Sequence, residues 1–137
     1  MREIKFRGKR IDDGEWVVGC LIRYSEEKSI IVVDLIEGEE PWVLAETVGQ
    51  YTGLKDKNGK EIYEGDIVDN GHTVVYSSSA YQFHHIGIVK FDVKQGCLVI
   101  HNTDGNTKRI TAKTVQINKI KVLGNIYDNP ELLKVQE

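Results

Sequence analysis

Cysteine and proline are scarce in this sequence. The 137 residues include 2 cysteines and 2 prolines, and Cys20 and Cys97 stand far apart with no Cys-x-x-Cys pair. No group of cysteines and histidines has the spacing of a zinc site. The opening residues 1–7 are charged and alternating, unlike a signal peptide. We therefore expect both thiols to be reduced and the protein to be cytoplasmic.

Long apolar segments are absent as well. No apolar run approaches the roughly 20 residues that span a bilayer, so neither a membrane segment nor a membrane partner is predicted. No segment keeps a 3.6-residue apolar period over about 12 residues, which excludes a long amphipathic helix. What remains is a chain of ordinary composition, 40% hydrophobic and 28% charged, as in soluble globular proteins.

Sequence motifs for nucleotide, metal and acyl-transfer chemistry are missing too. There is no GxxxxGK[ST], GxGxxG or HExxH sequence, and residues 77–79 lack the Gly-x-Ser-x-Gly elbow. His84 and His85 are the nearest thing to a metal pair. On a strand they would point to opposite faces, whereas in a loop they could chelate together with His72 or His101. We predict no catalytic residue, no metal and no cofactor.

Charge is unevenly distributed along the chain, although the net charge is only −3. Residues 1–10 carry five Lys/Arg against one Glu, residues 11–50 carry ten acids against two bases, and residues 86–127 carry seven bases against two acids. Three interpretations stay open: solvated faces that differ in sign by chance, opposite patches that meet within the fold or between subunits, and a basic C-terminal sheet that meets phosphates.

Short strands separated by turns account for most of the sequence. Glycine is frequent at 13 residues, and Asn58-Gly59 predicts a hairpin with a type I′ turn. Turn signals recur about every 8–12 residues, which is typical of an all-β sandwich or small barrel. The composition becomes less acidic after Ile62. We therefore divide the chain into an N-terminal β region, residues 1–62, and a C-terminal part, residues 63–137, or treat both as one compact unit.

The individual elements follow from the alternation of apolar and polar residues. The predicted strands are residues 3–7, 15–23, 29–36, 42–44, 47–51, 61–63, 66–69, 73–76, 86–91, 98–101, 108–115 and 122–127. Residues 77–80 are small and polar, and are predicted to form a mobile loop. Pro130 is predicted to open one turn of helix.

Three stretches of the sequence resemble YopX-like proteins. They are MREIKFRGKR at residues 1–10, QYTGLKDKNGKEIYEGDIV at residues 50–68 and GNIYDNPELL at residues 124–133. The resemblance spans nearly the whole chain, and the central stretch is long enough to be specific. The variable part lies between Asp69 and Thr114.

The resemblance implies a protein of bacteriophages and prophages with an SH3-like small barrel in residues 63–137. It implies no activity, ligand or catalytic residue that could be transferred to this chain. In such a barrel, Gly65 would turn the chain into the first strand with a backbone conformation that side chains disfavour. The residues expected to fill the barrel interior are Ile67, Val74, Ile88, Val89, Val99, Val122 and Ile126.

Basic residues near the predicted barrel strands suggest nucleic-acid binding as one function. Alternate positions on a strand share a face, and Tyr81, Phe83 and Phe91 could stack on bases. Against this hypothesis, the chain is net acidic, and lysines on a sheet also protect its edges from aggregation. The candidate nucleic-acid contacts are Lys90, Arg109, Lys113, Lys119 and Lys121.

The leading hypothesis from the sequence is a non-catalytic binding or assembly module that engages a protein partner or forms a homo-oligomer in the cytoplasm of the bacterial host. Segregated charge and the lack of a catalytic constellation motivate it. The alternative is a nucleic-acid-binding protein that uses the basic strands. A third class, an enzyme acting on a small molecule, would require a deep polar pocket with perturbed acids.

Overall fold

The protein is all-β, as predicted. A computed structural model describes residues 3–26, 28–32 and 42–134, which contain antiparallel strands joined by turns and one α-helix of 7 residues. The chain divides into a first unit, Met1–Gly53, and a second unit, Leu54–Glu137. This division precedes the predicted one at residue 62 because Leu54 and Ile62 pack into the second unit's core. Beyond Val32, the predicted strand 29–36 lies outside the described residues.

The first unit is built on one antiparallel sheet with strand order β4-β3-β2-β1-β5. Its strands are β1 (Phe6–Lys9), β2 (Trp16–Arg23), β3 (Lys28–Val32), β4 (Trp42–Leu44) and β5 (Gly49–Lys55), the last of which crosses the boundary between the units. Strand β5 begins at Gly49, later than the predicted strand 47–51, because Ala45–Thr47 forms a 3-10 turn. Thr47 stabilises this turn, since its hydroxyl donates to the Leu44 carbonyl at 2.6 Å and accepts from the Lys9 amide at 2.9 Å.

The inner face of the first sheet is closely packed around Gly8. A Cβ at this position would lie 3.1 Å from Ile31 Cδ1 and 3.1 Å from Val43 Cβ, and both of those side chains are fully buried. Strand β4 also returns to the end of β1, where the Ile11 amide donates to the Trp42 carbonyl at 2.9 Å. Gly8 therefore lets β1 and β4 approach each other without a side chain between them.

The second unit is built on a five-stranded antiparallel sheet with strand order β12-β11-β10-β7-β13. Its elements are β6 (Glu61–Tyr63), β7 (Asp66–Asp69), β8 (His72–Tyr76), β9 (Ser79–Phe83), β10 (Ile86–Asp92), β11 (Cys97–Asn102), β12 (Thr107–Arg109), α1 (Ala112–Asn118), β13 (Lys121–Asn125) and a 3-10 turn at Pro130–Leu133. The predicted helical turn after Pro130 is thus confirmed. Residues 77–80 do not form a loop, because Ser79 and Ala80 already belong to β9.

Helix α1 replaces the second half of the predicted strand 108–115, whereas Lys108 and Arg109 belong to β12 as predicted. Thr111 caps it: the Thr111 hydroxyl accepts from the Thr114 amide at 3.2 Å, and the Thr114 hydroxyl accepts from the Thr111 amide at 2.7 Å. This reciprocal capping box satisfies two N-terminal donors, and Lys119 ends the helix in the left-handed conformation. For residues 112–115 the strand prediction was wrong because it followed the β-branched residues and overlooked the cap.

The core of the second unit lies on one face of its sheet. It is formed by Ile62, Val68, Val89, Ile100, Ile110, Val115, Ile120 and Val122, with Leu54 and Leu98 packed against them. Of the predicted interior residues, Ile67, Val89, Val99 and Val122 are buried, and Ile88 and Ile126 are half-buried. Val74 is exposed, so its assignment to the interior was wrong. It belongs to a hairpin outside the five-stranded sheet.

The turn at Asn58-Gly59 connects β5 to β6 as predicted, but its type differs. Gly59 has φ +81°, whereas Asn58 is not among the described residues with positive φ, so a type I′ turn is wrong. The Gly59 amide donates to the Asp56 carbonyl at 3.0 Å, and the Asp56 amide donates to the Lys60 carbonyl at 2.7 Å. This is a three-residue loop in which only the glycine adopts the left-handed conformation.

Candidate interaction surface

The residues of the central and C-terminal motifs are used to hold the backbone together. The Asp56 carboxylate accepts from the amides of Asn58, Lys60 and Val122. The buried Asp66 carboxylate accepts from the Tyr63 amide at 2.7 Å. The Asn125 side chain accepts from the amides of Tyr127 and Asp128 at 3.0 and 2.9 Å. These polar groups are therefore structural, which leaves the variable part between Asp69 and Thr114 as a candidate for an interaction surface.

Hydrogen bonds also set the pKa of Asp56. Burial alone would raise it, but the amides of Val122, Lys60 and Asn58 together with the Lys60 charge outweigh burial, so the pKa lies below its ordinary value of 3.8. A carboxylate with this environment stays ionised at neutral pH and suits a structural acceptor.

Strands β8 and β9 form a two-stranded hairpin that joins neither of the larger sheets. We refer to residues 72–83 as the arm. Val74 pairs with Tyr81, and Val75 pairs with Ala80. Because side chains alternate along a strand, Val74, Tyr76, Tyr81 and Phe83 share one face of the arm. The opposite face presents Val75, Ala80 and Gln82.

The aromatic face of the arm is open to solvent. Tyr76 is 76% exposed and Tyr81 is 55% exposed, and Val74 and Phe83 are exposed too. No Lys, Arg, Asp or Glu occurs in residues 70–89, although 28% of the chain is charged. Exposed apolar patches of this kind mark interaction sites. A long stretch without charge was the signal that would have located the arm from the sequence.

Asp69 holds the base of the arm. Its Oδ1 accepts from the Gly71 amide at 2.9 Å and from the His85 amide at 3.2 Å, so one oxygen ties both ends of the hairpin. Its Oδ2 lies 2.6 Å from Nδ1 of His84. A Cβ on Gly71 would lie 1.9 Å from the Phe83 carbonyl oxygen, so only glycine allows the two ends to lie this close.

A second set of bonds ties the arm to the five-stranded sheet. The amide side chain of the buried Asn70 donates to the His85 carbonyl at 3.0 Å and to Oδ1 of Asn102 at 2.8 Å. The Asn70 backbone amide also donates to the His85 carbonyl, at 2.8 Å. The arm is therefore anchored at the ends of β7 and β11.

A cleft of about 770 Å³ lies beside the arm base. Its walls include the imidazoles of His84 and His85 and the carboxylates of Asp104 and Glu131. The Asn106 amide donates to Asp104, which lowers the pKa of that carboxyl, and the charge of His85 lowers it further. The enzyme hypothesis called for perturbed acids in such a cleft, yet the pKa of Asp104 is set mainly by a local turn.

The predicted nucleic-acid contacts do not form one group on the strands. Lys90 and Arg109 flank Val99 in one row of the sheet, so they share a face. Lys121 pairs with Asp69 on β7. Lys113 lies in α1, and Lys119 is its C-terminal cap rather than a strand position that alternates with Lys121. The interpretation of these five residues as nucleic-acid contacts stays a prediction.

The described residues bear on metal binding and on membrane spanning. Among the described residues, no three His, Cys, Asp or Glu side chains are close enough to hold a metal ion. His84 and His85 line the cleft, while the side chain of His72 lies outside the described part. No helix in the described part is long and apolar enough to cross a membrane.

Comparison with known proteins identifies the family and supports the fold. The crystal structure of protein EF1440 from Enterococcus faecalis is similar, with a TM-score of 0.56 and 22% sequence identity over 98% of this chain and 100% of that chain. At this identity the likeness shows the fold alone. No curated protein matches the sequence. Residues 5–134 match the family described as YopX protein, and because this match takes in nearly the whole chain, the protein belongs to the YopX family.

Proposed function

We propose that the protein is a non-catalytic phage or prophage module that acts in the cytoplasm of the bacterial host and self-associates through the arm. The observation that carries this proposal is the exposed, charge-free aromatic face of β8 and β9. The proposal assigns the arm a second copy of the same chain as its partner.

The first argument is the energetics of an isolated hairpin. Two strands without a further sheet or helix are marginally stable in water. The arm has Val74, Tyr76, Tyr81 and Phe83 on one face, and all four are exposed. Covering this face with apolar surface would stabilise the arm by about 25 cal/mol per Å² buried. In the monomer this apolar face stays exposed to water, so an oligomer that buries it is favoured.

The second argument is the kind of partner that the arm fits. Residues 70–89 have no formal charge, so the arm offers no electrostatic complement to a charged partner such as a nucleic acid. Two identical apolar faces related by a two-fold axis complement each other. The outer edges of β8 and β9 pair with no other described strand, and uncharged edges can pair with another copy. A second copy therefore suits the arm best.

For the second unit we propose the finer assignment of an SH3-like small barrel formed by β7 and β10–β13. Support comes from the strand order β12-β11-β10-β7-β13, in which four strands follow one another and the fifth returns beside the first. A register shift between Val122 and Gly124 adds the local bend that strands of a small barrel use. In this arrangement the arm occupies the long connection between the first two barrel strands.

Light scattering coupled to gel filtration tests self-association across a range of protein concentrations in dilute and high salt. We expect a dimer or larger oligomer that persists in high salt, because the arm has no charges to screen. The double substitution Val74→Asp and Tyr81→Asp places charge on the aromatic face and should yield monomers.

The matched control is Gln82→Glu, which adds a charge to the opposite face of the same hairpin and should leave the oligomer intact. Circular dichroism should show that all variants keep the β-sheet spectrum. A parent protein that stays monomeric at high concentration contradicts the proposal. An oligomer that is indifferent to the double substitution contradicts the assignment to the arm.

A further inference from the structure

A second exposed surface lies on the first unit and differs chemically from the arm. We call it the aromatic–cationic face and define it by Arg7, Lys9, Trp16, Tyr24, Lys28 and Trp42. It is the outer face of the sheet, because Gly8, Ile31 and Val43 occupy the inner face and side chains alternate along each strand.

Strand register brings the members of this face together. Lys9 pairs with Trp16 and Arg7 pairs with Val18, so these side chains emerge on one side of β1 and β2. Ile30 pairs with Ile22 on one side and Trp42 on the other. Lys28, two positions before Ile30, pairs with Leu44, two positions after Trp42. The face therefore extends across β1, β2, β3 and β4.

Aromatic rings and cations lie at both ends of the face, with the exposed Val18 and Ile22 between them on β2. The Arg7 guanidinium carbon lies 4.8 Å from the centre of the Trp16 ring, and Lys9 Nζ lies 5.7 Å from the same ring. At the other end, the rings of Tyr24 and Trp42 lie 5.4 Å apart at an interplanar angle of 45°. Tyr24 is 60% exposed and Trp42 is 41% exposed, so both rings can receive a planar ligand.

Charge is segregated between the strands and the turns of the first unit. Strands β1, β2, β3 and β4 contain no Asp or Glu; Arg7, Lys9 and Lys28 lie on their outer face, whereas Arg23 pairs with Ser29 on the inner face. The described carboxylates lie around them in turns, for example Asp12, Asp13 and Glu26. Arg10, at the turn, is paired with Asp12 at 2.9 Å. Among the described residues, Arg7, Lys9 and Lys28 thus lie on strands that carry no carboxylate.

We infer that the aromatic–cationic face binds single-stranded nucleic acid. Exposed rings on a sheet stack on unpaired bases, and interleaved cations neutralise the phosphates between them. Trp42 and Tyr24 supply the stacking surface, and Arg7, Lys9 and Lys28 supply the positive charge. Bases inside a duplex do not expose their planes to such rings, so a single strand is the form recognised.

A second copy fits this face less well than it fits the arm. A two-fold contact would bring Arg7 and Lys9 of one protomer towards the same cations of the other, and like charges oppose such an interface. The inference therefore adds a function to the proposed self-association and does not depend on it, because the two surfaces share no residue.

Fluorescence anisotropy with labelled 20-mers of deoxythymidine and of uridine tests the inference at low salt. If three cations contact phosphates, the affinity should fall about 20-fold between 50 and 200 mM salt, since each contact contributes roughly −0.7 to the logarithmic salt slope. Trp42→Ala or Tyr24→Ala should weaken binding roughly tenfold each through lost stacking. Lys28→Gln should flatten the salt dependence by about 0.7.

The controls separate this face from the other candidates. Lys113→Gln with Lys119→Gln removes two cations of the second unit and should leave binding unchanged. The arm variant Val74→Asp with Tyr81→Asp should also bind normally, so that failure of self-association and failure of nucleic-acid binding are distinguished. Arg7 is half-buried, so the test substitutions are placed at the exposed Lys28, Tyr24 and Trp42.

Several results would overturn the inference. They are the absence of binding at low salt, equal affinity for a duplex of the same length, and binding that depends on Lys90 and Arg109 but not on Trp42. Binding of a polyglutamate peptide in place of the oligonucleotide, with the same dependence on Lys28, would assign the face to an acidic protein segment and would equally overturn it.

Discussion

Asp56 Oδ2 accepts a hydrogen bond of 2.9 Å from the backbone amide of Val122, a residue 66 positions later in the chain. The same carboxylate organises the turn before β6 through the amides of Asn58 and Lys60. One side chain therefore joins a local turn to β13, and Lys57 reinforces this connection because its amide donates to the Ile120 carbonyl at 2.9 Å.

Replacing Asp56 with Asn should destabilise the protein by about 2 kcal/mol, because one of the two oxygens becomes an amide that faces a backbone donor. The pKa of Asp56 is lowered in the folded state, so its contribution is present above the ordinary pKa of 3.8 and is lost as pH falls through the folded value. Chemical denaturation at pH 7 and below pH 4 should show the parent converging on Asp56→Asn in acid.

The matched control for this prediction is Asp104→Asn. Asp104 also accepts bonds from Asn106 in a turn, but it is exposed, and an Asn can replace its acceptor. We expect little change in stability. Equal effects of the two substitutions would show that the connection to β13 contributes nothing special.

Gly124→Ala should destabilise the protein by about 2–3 kcal/mol. A Cβ there would lie 2.3 Å from Oδ1 of Asn129, which accepts from the Asn125 amide at 3.3 Å. Gly59→Ala is the comparison, because no atom lies within 4 Å of its Cβ position and only the φ of +81° opposes the change, at a cost of about 1 kcal/mol. Thermal and urea unfolding of both variants measures the difference in stability. A smaller loss of stability in Gly124→Ala than in Gly59→Ala would contradict the prediction.

Asp69→Ala should loosen the arm without unfolding the sheet. The substitution removes the oxygen that binds the amides of Gly71 and His85, together with the contact to His84. Hydrogen exchange should increase in residues 70–85 and stay unchanged in β10 and β11. Gly71→Ala should have the same regional effect through its clash with Phe83. Uniformly faster exchange across the chain would show instead that Asp69 supports the whole fold.

Cys20 should react faster with a thiol reagent than Cys97, because Cys20 is exposed and Cys97 is half-buried. Cys20 lies between Val18 and Ile22 on β2, on the aromatic–cationic face. A bound oligonucleotide should therefore slow its modification and leave Cys97 unaffected. Mass spectrometry of the labelled peptides measures both rates. Protection of Cys97 alone would place the oligonucleotide on the second unit.

Local patterns predict the strands of this protein well. Alternation identified β2, β6, β7 and β10, and the Asn58-Gly59 pair located its turn. Helix α1 was missed although its signal was in the sequence, because Thr111 and Thr114 have the spacing of a capping box. Here the capping hydrogen bonds outweighed the β-propensity of Thr114, Val115 and Ile117.

The arm and the aromatic–cationic face could not be located from local sequence patterns. Alternation places Val74 on an apolar face but does not say whether that face meets the core, since this depends on which strands pair across the fold. The same limit applies to Trp16 and Trp42, which become neighbours of Arg7 and Lys28 only through the register of four strands. The absence of charge in residues 70–89 was the one local sign of a surface.

Because one oxygen of Asp69 accepts from the amides of Gly71 and His85 on either side of the arm, we expect residues 72–83 to be exchangeable between relatives as one segment. With the proposed self-association through the arm, mutations within residues 72–83 should change which copies associate, while the Asp69 contacts and the five-stranded sheet should keep their geometry. A chimaera that carries the arm of another relative should therefore associate with that relative. In a mixture, oligomers should form between chains that share the same arm, whichever sheet carries it.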